Sequence, residues 1–276
     1  MPITKVGEIN VEYYVEGSGP PLLMIMGFAG QAASWGEPFL SEMRKRFTVI
    51  RFSNRGTGQS GAAAAITVPL MAEDAAGLMR ELGIEKAHVF GISMGGMIAQ
   101  ELVLNHPAQV QGLVLGCTNC GPAHSVQAPA ELMSKFGAMM NLPVEERIRQ
   151  FWQMTVTTEF VERAQEFLDG IMAMALATPT PWQTFGLQFA AVQAFDSYER
   201  LPQVAAPTLI IHGNRDALVP VENADVLQQR IGGARVRIIE GAGHCFFWEK
   251  PEESAQAIVE FLAQVPAYRT GRPAPA

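Results

Sequence analysis

The chain has 276 residues, of which 20 are Lys or Arg and 27 Asp or Glu, for a net charge of −7. An acidic balance with no basic stripe argues against nucleic acid as a partner. With 48% hydrophobic and only 17% charged residues, disorder is excluded for most of the chain and a large core is expected.

Met1 to Gly19 alternates polar and apolar residues (Ile9, Val11, Tyr13, Val15) and has no basic region followed by an apolar one, so no signal peptide is expected. Short β-rich runs follow one another at Ile9–Val15, Leu22–Met26, Thr48–Phe52, His88–Gly91, Gly112–Leu115, Thr208–His212 and Arg235–Ile239. Between them, helical patterns run over Leu70–Leu82, Met94–Asn105, Glu222–Ile231 and Glu252–Gln264, with Gly83 as a C-cap and Pro107 beyond the second. This alternation predicts an α/β fold with a largely parallel sheet. Leu22 to Met26 and Leu209 to Ile211 are continuously apolar, as strands covered on both faces require.

From residue 121 to residue 201 the rhythm stops, and the composition is helical throughout. The expected organisation is therefore a core of residues 1–120 and 202–265, a helical cap of residues 121–201 and a frayed Pro- and Ala-rich tail of residues 266–276. Six of the 14 Met lie in that interval (133, 139, 140, 154, 172, 174), together with ten Phe, Trp and Tyr residues. Most of them are expected to pack the insertion onto the core. Trp35, Met133, Phe136, Met140, Trp152 and Trp182 are the residues expected to line an apolar substrate pocket.

The three Cys (117, 120, 245) cannot form an even disulfide framework, so a reduced, intracellular setting is expected. With no apolar run of about 18 residues, the expectation is a cytoplasmic protein without a membrane partner. Cys117-Thr118-Asn119-Cys120 has no second pair, so neither metal nor redox chemistry is expected of it.

Gly91-Ile92-Ser93-Met94-Gly95 is a G-x-S-x-G between a strand pattern and a helix pattern. A serine there sits on a sharp turn whose neighbours must lack bulk, and Gly91, Gly95 and Gly96 meet that need. The same turn aims the backbone N–H of Met94 and the positive end of the helix at one point, where an oxyanion would form.

A serine nucleophile needs a base, and five His are present. His88, His106 and His212 read as structural and His124 has no supporting motif. His244 follows the last strand on the glycine-rich Gly241-Ala242-Gly243 and is the expected base. The orienting acid is expected to be Asp216, just after a strand, with Glu240, Asp225 and Asp196 as weaker candidates. The resulting order Ser93, Asp216, His244 is one of the few known for such triads. A second oxyanion donor is expected from the loop Met26 to Gly30, at the N–H of Phe28.

These features together resemble the α/β-hydrolase fold family over nearly the whole chain. Ser53-Asn54-Arg55-Gly56-Thr57-Gly58-Gln59-Ser60 is similar to the family's D-x-R-G-x-G-x-S loop, Gly30 to Trp35 to its G-x4-W stretch, and His244 to Glu252 to the segment entering its last helix. The resemblance is strongest to small capped carboxylesterases, enol-lactone hydrolases and cofactor-free haloperoxidases. Two positions depart from it: Met26-Gly27 stands where His-Gly is usual, and Ser53 where Asp is usual. The first spares a backbone donor, while the second removes a carboxylate that braces loops.

Because the elbow carries Ser and not Asp, dehalogenase and epoxide-hydrolase chemistry is disfavoured. The expectation is a cofactor- and metal-free serine hydrolase acting on a small-molecule ester or lactone with an apolar portion. C–C bond hydrolysis of a ring-cleavage product, perhydrolysis and a noncatalytic small-molecule receptor of the same fold are the alternatives, and the three residues alone do not separate them. Oligomeric state is not legible.

Overall fold

The structure, a computed structural model, describes residues 2–61, 64–139 and 142–266. In chain order the strands are β1 (Ile3–Val6), β2 (Ile9–Gly17), β3 (Pro21–Ile25), β4 (Thr48–Phe52), β5 (Ala87–Ile92), β6 (Val110–Gly116), β7 (Thr208–Gly213) and β8 (Arg235–Ile239). They form one eight-stranded sheet in the order β1-β2-β4-β3-β5-β6-β7-β8. The pairs β1–β2 and β2–β4 are antiparallel and all others parallel. Every strand pattern read from the sequence is a strand here, and β1 is an addition. At four residues, β1 is too short for its alternation to stand out.

Helices cover both faces. α2 (Val68–Glu81), α3 (Met94–Asn105) and α9 (Asn223–Arg230) pack on one, while α1 (Phe39–Arg44), α10 (Phe246–Glu249) and α11 (Pro251–Leu262) pack on the other. The pleat sorts each central strand between two cores. Leu23 and Ile25 join one core and Leu22 and Met24 the other, all four with no exposed surface. Side chains alternate across a strand, so a run apolar at every position is buried only when both faces are covered.

Between β6 and β7 the described residues form five α-helices: α4 (Ala130–Met139), α5 (Val144–Thr155), α6 (Thr158–Arg163), α7 (Gln165–Ala177) and α8 (Trp182–Gln193). Phe136, Met139 and Phe185 form a small separate core there, against which Phe28 and Phe189 pack. This layer stands over the carboxyl ends of the parallel strands, because Phe136, Phe151 and Phe189 share one cavity with Ser93. Of the expected tail, residues 267–276 lie outside the described residues. Among the described residues no helix is long and apolar enough to cross a membrane.

Candidate active site

The loops after β3, β5, β7 and β8 all leave the sheet at its carboxyl edge, where open α/β sheets bind ligands. Ser93 follows β5 directly and has φ 57° and ψ −124°, a conformation few non-glycine residues adopt. Its N–H donates to Gly116 O at 2.8 Å, and its carbonyl accepts from Gly96 N at 2.8 Å and Thr118 Oγ1 at 2.7 Å. The glycines around it are required by contact: a Cβ on Gly91 would lie 2.1 Å from Gly95 O, and one on Gly95 2.1 Å from Ile25 O. Gly96 packs on Thr118 in the same way.

His244 and Asp216 are both buried, and His244 Nδ1 lies 2.7 Å from Asp216 Oδ2. A carboxylate only accepts, so Nδ1 carries the proton, and in the neutral form of the ring Nε2 keeps its lone pair. Asp216 Oδ1 in turn accepts from Leu218 N at 2.9 Å and Val219 N at 3.0 Å. Burial by itself would raise the Asp216 carboxyl pKa. The attraction of His244 and hydrogen bonds from His212 and His244 outweigh burial and hold it well below the usual carboxylate range. His212, with no exposed surface, sits with Nε2 2.8 Å from Val219 O and 3.3 Å from Asp216 Oδ2. Cys117 completes the surroundings: its sulfur and ligating atoms of Asp216 and His244 lie within 4.8 Å of one another. Burial, then the Asp216 charge, push its thiol pKa well up, so it stays a neutral S–H.

The other candidate acids and bases lie elsewhere. Asp196 lies 3.7 Å from His124, whose ring stacks on Tyr198. Glu240 bonds Asn214, Asp225 sits in α9, and His106 pairs with Glu73 at 2.7 Å. His88 is buried with its Nδ1 unpartnered.

Ser93 and His244 open on one cavity of about 170 Å³. Its wall includes the Phe28 and Met94 whose N–H groups the sequence marks as donors. Gly27 lies against Ser93, so that a Cβ there would be 3.0 Å from Ser93 Cβ. Of the residues expected to line the pocket, Met133, Phe136 and Trp152 do. Met140 lies outside the described residues. Trp35 and Trp182 require correction. Trp35 has no exposed surface and stacks among Phe39, Phe90 and Phe247 in the core. Trp182 is 51% exposed and stacks on Phe185, with the Arg147 guanidinium 5.4 Å above its ring. The methionines on the cavity are Met26, Met94 and Met97 from the core and Met133 from the helical layer. No Asp, Glu, Lys or Arg is on the cavity wall among the described residues.

Three bracing residues escaped the sequence reading. Glu12, on β2 and buried, accepts from Ser53 Oγ at 2.8 Å and Gln59 N at 2.9 Å. It supplies the carboxylate that Ser53 does not. Glu249 accepts from Gly243 N at 2.8 Å and from Thr157 N at 3.2 Å, joining the His244 loop to the start of α6. Its signal was an acidic residue closing the apolar run Phe246-Phe247-Trp248. Gln188, on α8, holds the loop after β3 and had no signal in the sequence.

Compared with known proteins, residues 20–251 match the model of a family described as alpha/beta hydrolase fold. The chain is 27% identical to the 2-hydroxy-6-oxo-6-phenylhexa-2,4-dienoate hydrolase of Comamonas testosteroni, over 94% of this chain and 93% of that one. It is 25% identical to the pimeloyl-[acyl-carrier protein] methyl ester esterase of Aeromonas hydrophila, over 92% and 99%. A thermophilic esterase from Thermogutta terrifontis superposes with a TM-score of 0.84 at 26% identity, over 97% of this chain and all of the other.

Proposed function

Because this chain belongs to the α/β-hydrolase fold family and is a hydrolase, we propose that it cleaves an uncharged carboxylic ester or lactone through Ser93, His244 and Asp216. The observation that carries the reading is a serine on a strained elbow opening on the same cavity as an imidazole bonded to a buried carboxylate. In this reading His244 Nε2 takes the Ser93 proton as Oγ attacks the carbonyl carbon, and Asp216 steadies the imidazolium that forms. The oxyanion accepts from the N–H groups of Phe28 and Met94, the second at the positive end of α3. The proton passes to the departing alkoxide, and water activated by His244 then hydrolyses the acyl-enzyme. The helical layer α4–α8 acts as the cap.

The lining supports this substrate class. The wall is mainly apolar and its polar side chains Asn119, Gln127, Thr155 and Gln193 are neutral, so a carboxylate there meets no Lys or Arg among the described residues to offset its lost hydration. The ring-cleavage relative acts on a dienoate by its name, so a neutral cavity favours ester or lactone cleavage over that C–C reaction. A dry cavity of about 150 Å³ holds a benzene molecule. The scissile group's apolar partner is therefore one ring or a short acyl chain in size.

The test is a fluorophosphonate probe with the adduct located by mass, alongside p-nitrophenyl esters from C2 to C12. Expected are modification of Ser93, hydrolysis of the short esters lost in Ser93→Ala, and decline toward C12. An unmodified Ser93, with wild-type hydrolysis no faster than that of Ser93→Ala, would refute the assignment. Preference for a charged or sugar ester would refute the substrate class.

A further inference from the structure

The loop that carries the Phe28 N–H is held from both sides. On the core side, Asn54 Nδ2 donates to Met26 O at 2.9 Å. On the helical side, Ala29 N donates to Gln188 Oε1 at 2.8 Å, and Thr180 Oγ1 donates to Ala29 O at 3.0 Å. The Phe28 ring packs edge-on against Phe185, on the same helix as Gln188, at 4.4 Å. The peptide plane between Gly27 and Phe28 thus lies between two pinned neighbours. Its own restraint is one 3.2 Å bond from Gly30 N to Gly27 O. Gly27 has no Cβ to oppose rotation of that plane, and Ala29 stands at φ 55°, a strained value that persists only when its surroundings hold it.

Gln188 has no exposed surface, and its Nε2 has no partner. A buried amide with one end unsatisfied is a poorer packing residue than Leu or Met. Thr184, Gln188 and Ala191 fall on the buried face of α8, so an apolar side chain would suit the position. Its bond to Ala29 is the one interaction there that an apolar residue cannot make.

Resting on the serine-hydrolase reading above, we propose that Gln188 is a positioning residue, which from the helical layer fixes the Phe28-Ala29 backbone so that the Phe28 N–H faces the developing oxyanion. The helical layer then completes the reaction centre as well as covering it.

The experiment compares full-length wild type with Gln188→Leu and Gln188→Glu on p-nitrophenyl acetate. It reads kcat, KM, melting temperature and affinity for a trifluoromethyl ketone, which forms a tetrahedral adduct on the serine. Losing a whole oxyanion donor costs about 10²–10³ in kcat. Misaiming one is expected to cost about tenfold. For Gln188→Leu the expected result is that loss in kcat with KM within about twofold, and ketone affinity weakened by the same factor as kcat/KM. The melting temperature should hold or rise. Gln188→Glu keeps an acceptor oxygen and should restore most of kcat. Thr180→Val, which removes the neighbouring bond, should give a smaller loss of the same kind and serves if Gln188→Leu does not fold. Unchanged kcat and ketone affinity in Gln188→Leu, or a loss confined to KM and melting temperature, would overturn the proposal. That outcome leaves the hydrolase reading standing. Failure of wild type to hydrolyse esters or label Ser93 would instead sink that reading and this one together.

Discussion

Asp216 lies in a shell built to keep it charged: two backbone N–H groups, the His244 ring and a second imidazole within 3.3 Å. With Asn in its place the amide N–H₂ could face His244 and favour the wrong tautomer. In the proposed mechanism Asp216→Asn should therefore lower kcat roughly ten-thousand-fold, as in comparable triads, with circular dichroism unchanged. Asp196→Asn, removed from the site beside His124, should leave kcat within about twofold of wild type. A reversed outcome would move the acid. At this scale the strained turn at Ser93 and the glycine loop bearing His244 were legible, because glycine requirements and loop position are local. The sequence ranked Asp216 by its place after a strand and by chain order, since nothing local shows which carboxylate a distant imidazole will meet.

Single elements carry the bracing of the site. The loop after β4 enters α2 through an ion pair in which Arg55 Nε and Nη2 each lie 2.6 Å from an Asp74 oxygen. Both side chains are less than a tenth exposed. Burial raises the Asp74 carboxyl pKa more than the two bonds from Arg55 lower it, which marks the pair as costly to desolvate. Arg55→Leu is expected to destabilise the fold by about 3–5 kcal/mol in urea melts, because Asp74 is left buried without its cation. The double variant Arg55→Leu with Asp74→Leu should recover much of that loss, and a strictly additive double variant would contradict this account. The place of Arg55 in the loop from Ser53 to Ser60 was legible, whereas Glu12 was invisible. An acidic residue in β2 looks like the solvent face of an alternating strand until the loop from Ser53 to Ser60 closes over it.

For the molecule as a whole, acid sensitivity should trace to the sheet. His88 on β5 is 3% exposed, and burial lowers its pKa from 6.5 to about 4. The native ring stays neutral while the unfolded one takes up a proton below about pH 6.5. The native state is therefore fully favoured above that pH, and the advantage is lost as pH falls toward 4. At pH 5 linkage puts the loss at about 2 kcal/mol. The depressed Asp216 carboxyl contributes stability that is lost only below the ordinary carboxylate range, near pH 4, so Asp216 adds nothing to the change between pH 7 and 5. The melting temperature of His88→Leu should fall less than that of wild type across this interval. Equal declines would place the acid sensitivity elsewhere.

The sequence by itself determined the alternation of strands and helices, the strained turn at Ser93, the glycine loop bearing His244 and the eighty-residue helical interval. These follow from periodicity, backbone sterics and chain order, all of which act between near neighbours. Only the tertiary structure decided which aromatic rings reach the cavity. Trp35, beside Gly36, and Trp152, beside Phe151, carry no local mark that separates them, yet one is sealed among Phe39, Phe90 and Phe247 and the other faces the site. It also decided that Glu12, Glu249 and Gln188 reach Ser53, Thr157 and Ala29, which lie 41, 92 and 159 residues away along the chain. Such partners are chosen by which surfaces meet when helices close over a sheet. That depends on the packing of the whole chain, and no local pattern encodes it.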